Sequence, residues 1–146
     1  MINFAVIGVG SFGKKRALAI QSTKTANLKA ICDLDTEKAA AVSKDLSVPN
    51  LKIEDILNDS SIDVVCICAP NKFHKDLIIK SLESEKNVFC EKPLARNLSE
   101  AKEILEASKK FNKKIQIGSN HRYFESVMFA KDLVDKGTIG KVLSFN

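Results

Sequence analysis

The chain opens MINFAVIGVGSFGKKRALAI, and this stretch limits the possible folds more than any other. An apolar run ends among glycines at Gly8, Gly10 and Gly13, and a helical pattern starts inside them. A strand that turns straight into a helix packed back upon it needs residues without side chains at such places. A second apolar run, LKAICD, ends on an acid, Asp33, twenty residues beyond Gly13. Alone, G-x-G-x-x-G is a weak signal, and a glycine-rich turn with a capping Asp would explain it. A strand before, a helix after and an acid at the next strand's tip make it a dinucleotide fingerprint. Gly8 then permits the tight turn, Gly10 lets the backbone approach a pyrophosphate, and Gly13 lets helix and strand pack closely. Asp33 accepts hydrogen bonds from a ribose diol.

Three cations, Lys14, Lys15 and Arg16, follow at what reads as the first turn of a helix. That end carries partial positive charge and prefers anions, so either these cations point to water or an anion from outside the chain sits there. A pyrophosphate held by free backbone N–H groups would supply it. Asp33 would repel a 2′-phosphate, and Leu34 and Asp35 offer no cation to hold one, which favours NAD over NADP.

Strand and helix patterns alternate along the rest of the chain. Helices are expected from Phe12 to Ser22, from a cap at Asp35 or Thr36 to about Leu46, and over the stub EDILN. Further helices are expected from His74 to Ser84, from Ser99 onward and from Phe124 to Lys136. The Ser99 helix shows an inner stripe of Ala101, Ile104, Leu105, Ser108 and Phe111, with Glu106 and Lys110 paired outside. Strands are expected at FAVIGVG, LKAICD, LKI, DVVCICA, NVFCEKP and KIQIG, with a further one begun at KVLSF. Such alternation implies right-handed crossovers and a doubly wound, mostly parallel α/β sheet with helices on both faces. Residues 1–120 read as this core, and 121–146 as a linking helix and first strand leading toward a further domain. An edge strand on the same sheet is the alternative for KVLSF.

At 146 residues the chain can bury a proper core without staples. Its net charge is +5, with lysines scattered along the length, and the cluster KKFNKK falls where cations suit a helix end. Nucleic acid is therefore not an expected partner. No apolar run approaches the roughly 20 residues that span a bilayer, and no signal peptide is evident, so the cytosol is the expected compartment and no membrane partner is expected. Cys32, Cys66, Cys68 and Cys90 each sit in an apolar run. Cys66 and Cys68 would share one face of a strand, but nothing completes a metal set, so buried reduced thiols are expected.

Three later strand ends carry unusual residues: APNKFH, CEKP and SNHRYF. With GVGSFG, Asp33 and the closing GTIGKV, the chain resembles the Gfo/Idh/MocA family of oxidoreductases over essentially its whole length. EKP is the most specific element, since an ordinary dinucleotide domain has no need of it. The resemblance implies an NAD-binding Rossmann fold in which Ser11 and Phe12 join the pyrophosphate loop. It places Pro70, Asn71 and His74 along the path from adenosine to nicotinamide. Glu91 and Lys92 would flank the nicotinamide ribose, with Lys92 reaching the substrate hydroxyl, and Asn120 and Arg122 would lie near the nicotinamide or the substrate. The implied reaction is hydride transfer between a sugar or cyclitol alcohol and the nicotinamide. The family's second α/β domain, which supplies an Asp and a His and the subunit contacts of a homo-oligomer, is not in this sequence. On its own terms, Lys92 before Pro93 is held extended with its amine aimed in one direction, and a positive nicotinamide beside it favours base or relay work. His74 reads equally well as a helix cap and His121 as a solvated loop residue.

Two other readings stay open from sequence. One is a free-standing dinucleotide-binding module acting as a sensor or subunit. The other is an S-adenosylmethionine-dependent methyltransferase, which shares the glycine turn and the acid but needs neither the third glycine nor EKP.

Overall fold

The computed structural model describes residues 1–144. Five strands, β1 (Ile2–Ile7), β2 (Ala26–Cys32), β3 (Val64–Ile67), β4 (Asn87–Cys90) and β5 (Ile115–Ile117), form one parallel sheet in the order β2-β1-β3-β4-β5. Six helices join them: α1 (Ser11–Ser22), α2 (Thr36–Leu46), α3 (Ile53–Asn58), α4 (His74–Glu83), α5 (Leu98–Phe111) and α6 (Glu125–Asp135). The chain leaves β1 toward β2, then returns past it to β3, so the crevice at the strands' carboxyl ends opens between β1 and β3. That reversal is where open α/β sheets receive ligands.

The two sheet faces are filled differently. On one, Ile56 and Leu57 of α3, Ile78 and Leu82 of α4, and Ile104 of α5 pack on Ala5, Ile7, Val65, Ile67, Val88 and Cys90. On the other, Ala17 of α1 and Val42 and Leu46 of α2 cover Val6, Leu28, Ile31 and Cys66. Leu28 reaches that second face because the β1–β2 register slips between Phe4 and Ala5, where Lys29 is the extra residue. Strict alternation would have put Leu28 beside Ala30; the bulge turns it over.

Several expectations are corrected. LKI is not a strand: Asn50 makes a single bridge to Ile31, and Ile53 already opens α3. The sheet therefore has five strands, and EKP follows the fourth. On α5 the buried line is Glu100, Ile104 and Ala107, while Leu105 is 54% exposed, because the helix meets the sheet about one residue's rotation away from the expected stripe. Lys110 does not pair with Glu106; its amine lies 4.9 Å from the Phe111 ring. KVLSF forms no strand over Lys141–Ser144, where no neighbouring strand offers backbone partners, and Phe145 lies outside the described residues. The remaining helices match expectation closely, with Asp35 rather than Thr36 capping α2 through Lys38 N–H at 3.0 Å. Helix α6 buries no residue and touches chiefly the short 3-10 turn, Asn120–Tyr123, that precedes it. Among the described residues no helix is long and apolar enough to cross a membrane.

Candidate nucleotide site at the strand ends

The glycine turn is built by close contact. Gly8 has φ +89°, and a Cβ there would lie 2.6 Å from the Ala69 nitrogen at the end of β3. A Cβ on Gly13 would fall 1.8 Å from the Gly8 carbonyl oxygen, so α1 rests directly on the turn. Above Gly10, by contrast, a Cβ would meet nothing within 4 Å. The Gly8 and Gly13 positions are filled by protein and Gly10 looks onto open space, as a backbone that receives a phosphate requires. No side chain caps α1 and no acid occupies its first turn.

Asp33 does more than wait for a ribose. Its Oδ2 accepts from the Val9 N–H at 2.7 Å and its Oδ1 from the Asp35 N–H at 3.0 Å. The carboxylate thus fastens the glycine turn to the tip of β2, and each oxygen retains a lone pair for a diol. A cavity of about 750 Å3 runs from Gly8 and Gly10 past Asp33 to Pro70. Ile53, Phe73 and Leu77 give it an apolar wall suited to a purine ring. These residues fit the adenosine half of NAD. Ile53, Phe73 and Lys38 escape a reading of the sequence, because α3 and the 3-10 turn over Asn71–Phe73 reach the cavity only through the fold. Lys38 is a cation near this end, yet it pairs with Asp35 at 3.1 Å.

Two of the three cations of α1, Lys14 and Arg16, find anions within the chain. Lys14 pairs with Asp45 at 2.7 Å, and Lys15 extends over the exposed Phe12 ring at 5.8 Å. Arg16 donates from Nε to Glu91 Oε1 at 2.8 Å and from a terminal nitrogen to the same oxygen at 2.5 Å. It also donates to Asn120 Oδ1 at 2.6 Å, and its guanidinium lies 5.0 Å from the Phe89 ring. Lys14 and Arg16 therefore do not need an outside anion. Glu91 is buried against α1 and packs beside Gly118, where a Cβ would stand 3.0 Å from Oε2.

Lys92 follows Glu91 at the end of β4, exposed, before a cis peptide bond to Pro93. Among the described residues its amine has no ion pair or side-chain hydrogen bond. His74, expected along the cofactor path, is only 1% exposed. Its Nδ1 lies 2.8 Å from the Pro93 carbonyl and its Nε2 2.8 Å from the Ala69 carbonyl. It is a strut between the β3 end and the EKP corner, with no ring atom left for a ligand. Ser11, Phe12, Pro70 and Asn71 are exposed around the turn, and Asn120 and Arg122 lie exposed in the 3-10 turn beyond β5. His121 stacks on Phe124 at 4.8 Å. Cys66 and Cys68 share a face of β3 with their sulfurs 3.7 Å apart, and that neighbour together with burial raises the Cys66 thiol well above its usual range.

Comparison with known proteins agrees with this geometry. The profile of the Gfo/Idh/MocA group, described as an oxidoreductase family with an NAD-binding Rossmann fold, matches residues 2–119. The 2,7-anhydro-N-acetylneuraminate hydratase of Escherichia coli is 34% identical over 99% of this chain and 38% of its own length. The myo-inositol 2-dehydrogenase of Thermotoga maritima is 30% identical over 96% of this chain and 42% of its own. The crystal structure of scyllo-inositol dehydrogenase from Lactobacillus casei, with bound NAD(H) and scyllo-inositol, superposes with a TM-score of 0.90 at 30% identity. It matches 97% of this chain and 43% of that one, and the chain spans about two fifths of the curated relatives' length. An α/β sheet with this turn, this carboxylate and this profile match has one assignment: the chain belongs to the Gfo/Idh/MocA oxidoreductase family, as an NAD-binding Rossmann domain.

Proposed function

We propose that the chain is the nucleotide-binding part of an NAD-dependent dehydrogenase acting on a hydroxyl of a sugar or cyclitol. Residues 1–120 bind the cofactor, and 121–146 lead away from the core. The observation that supports this reading is that a glycine turn open at Gly10, the Asp33 carboxylate and the exposed Lys92 follow the carboxyl ends of β1, β2 and β4 in one sheet. The cofactor, when bound, accepts hydride from the carbon that bears the hydroxyl. Lys92 takes the hydroxyl proton as that C–H bond breaks, and the product is the ketone. Glu91 and Asn120 orient the nicotinamide end, while Asp33 and the apolar wall hold the adenosine. Four free thiols support a reducing compartment, the cytosol, and the whole protein is a homo-oligomer with neither nucleic acid nor membrane as partner.

Titration of this chain with NADH and NADPH tests the reading. NADH should bind more tightly, by at least about tenfold, and Asp33→Ala should erase most of that preference. Asp33→Asn should fall between, since its amide oxygen still accepts from Val9. Absence of NADH binding, or an unchanged preference in Asp33→Ala, overturns it. The relative named a hydratase favours a second reading in which no net oxidation occurs. Turnover of the whole protein separates the two, because only a dehydrogenase accumulates NADH in step with product.

A further inference from the structure

We infer that Arg16 is a positioning residue that couples the phosphate turn to the nicotinamide end of the site, an inference that rests on the NAD reading above. Arg16 stands on α1 three residues after Gly13, yet its partners lie 75 and 104 residues away, at the ends of β4 and β5. One guanidinium therefore ties the side chains that follow β4 and β5 to α1, where the backbone ladder joins only the strands themselves.

Its chemistry also dictates which atoms those partners present. Arginine has donors only, so Asn120 must turn its oxygen toward it and leave both amide hydrogens for another acceptor. A carboxamide or hydroxyl oxygen is the group that fits. Glu91 likewise gives Oε1 to Arg16 and keeps Oε2, beside Gly118, for an O–H donor such as a ribose hydroxyl. Phe89 beneath the guanidinium holds its plane, and the planar fork makes two bonds to one carboxylate oxygen that a lysine ammonium cannot reproduce. Without Arg16, Asn120 is free to flip and Glu91 is a buried carboxylate lacking its partner.

Binding of NADH and of ADP, which lacks both the nicotinamide and its ribose, to this chain distinguishes positioning from general support. For Arg16→Gln the Kd for NADH should rise about tenfold while that for ADP changes less than about twofold. Arg16→Lys should recover part of the NADH loss, and Asn120→Asp, which discards the amide donors, should show the same selective loss. Circular dichroism of each variant verifies folding, and Arg16→Lys and Asn120→Asp carry the test if Arg16→Gln does not fold. Equal weakening of both ligands, or no weakening of either, overturns the inference. Failure of the wild-type chain to bind even ADP would instead overturn the NAD reading and the clamp with it.

Discussion

The two faces of the sheet are finished in different materials. Under α3, α4 and α5 the covering is continuous and apolar from β1 to β4, with Ile56, Ile78, Leu82 and Ile104 at most 1% exposed. On the opposite face α1 and α2 cover β2 and β1, but over β4 the half-buried Phe89 meets a guanidinium instead of a helix. Burial of hydrocarbon is nondirectional and adds stability wherever it fits. A charged cover on one aromatic ring adds little of that, but it fixes direction. The closed face accordingly sets how firmly the domain folds, and the half-open one sets how Glu91 and Asn120 are aimed.

Thiol chemistry should show the contrast most strongly. Burial pushes the Cys90 thiol, on the closed face, up to about 12. Mass-spectrometric mapping after mild alkaline iodoacetamide should find the partly exposed Cys68 modified first, and the buried Cys90 slower by at least about tenfold. NADH should slow Cys68, which lines the cavity. Comparable rates at Cys90 and Cys68 would break the distinction. Next in size, Ile78→Ala should lower unfolding free energy in urea by about 3 kcal/mol, whereas Phe89→Leu should cost about 1 kcal/mol. Equal costs would mean that Phe89 is core after all.

Smaller again is the effect of Glu85, which leaves α4 with φ 60° and is the kind of position glycine tolerates best. Its exposed pair with Lys113 contributes little. Glu85→Gly should raise stability by about 1 kcal/mol with NADH affinity unchanged, which would sharpen the division between firmness and aim. The smallest effect concerns acid. Hydrogen bonds from Arg96 hold the Glu100 carboxyl below its ordinary 4.5. A depressed carboxyl contributes stability above its unfolded value and loses it as pH falls through the folded one. The stability gap between wild type and Glu100→Gln should therefore be widest near neutrality and close below about pH 4.5.

What could be read from the sequence was what neighbours in the chain decide. The glycine turn, the acid after β2 and the alternation of strand and helix are local signals, and they located the fold and the candidate cavity beside Asp33. LKI misled because apolar composition does not reveal whether a partner strand is available; here Ile31 offers one bridge and the chain coils into α3. The partners of Arg16 were invisible because nothing near residue 16 points to residues 91 and 120. His74 was placed by resemblance near the cofactor, and only the fold shows both its nitrogens spent on carbonyls.

Asp33 leaves a lesson for redesign. Since its carboxylate also anchors Val9, swapping it for a residue without an acceptor, such as alanine or glycine, to admit NADP would unfasten the glycine turn along with removing the repulsion. A successful switch of coenzyme must keep an acceptor at residue 33, as serine or asparagine would, and introduce the new cation at a neighbouring position.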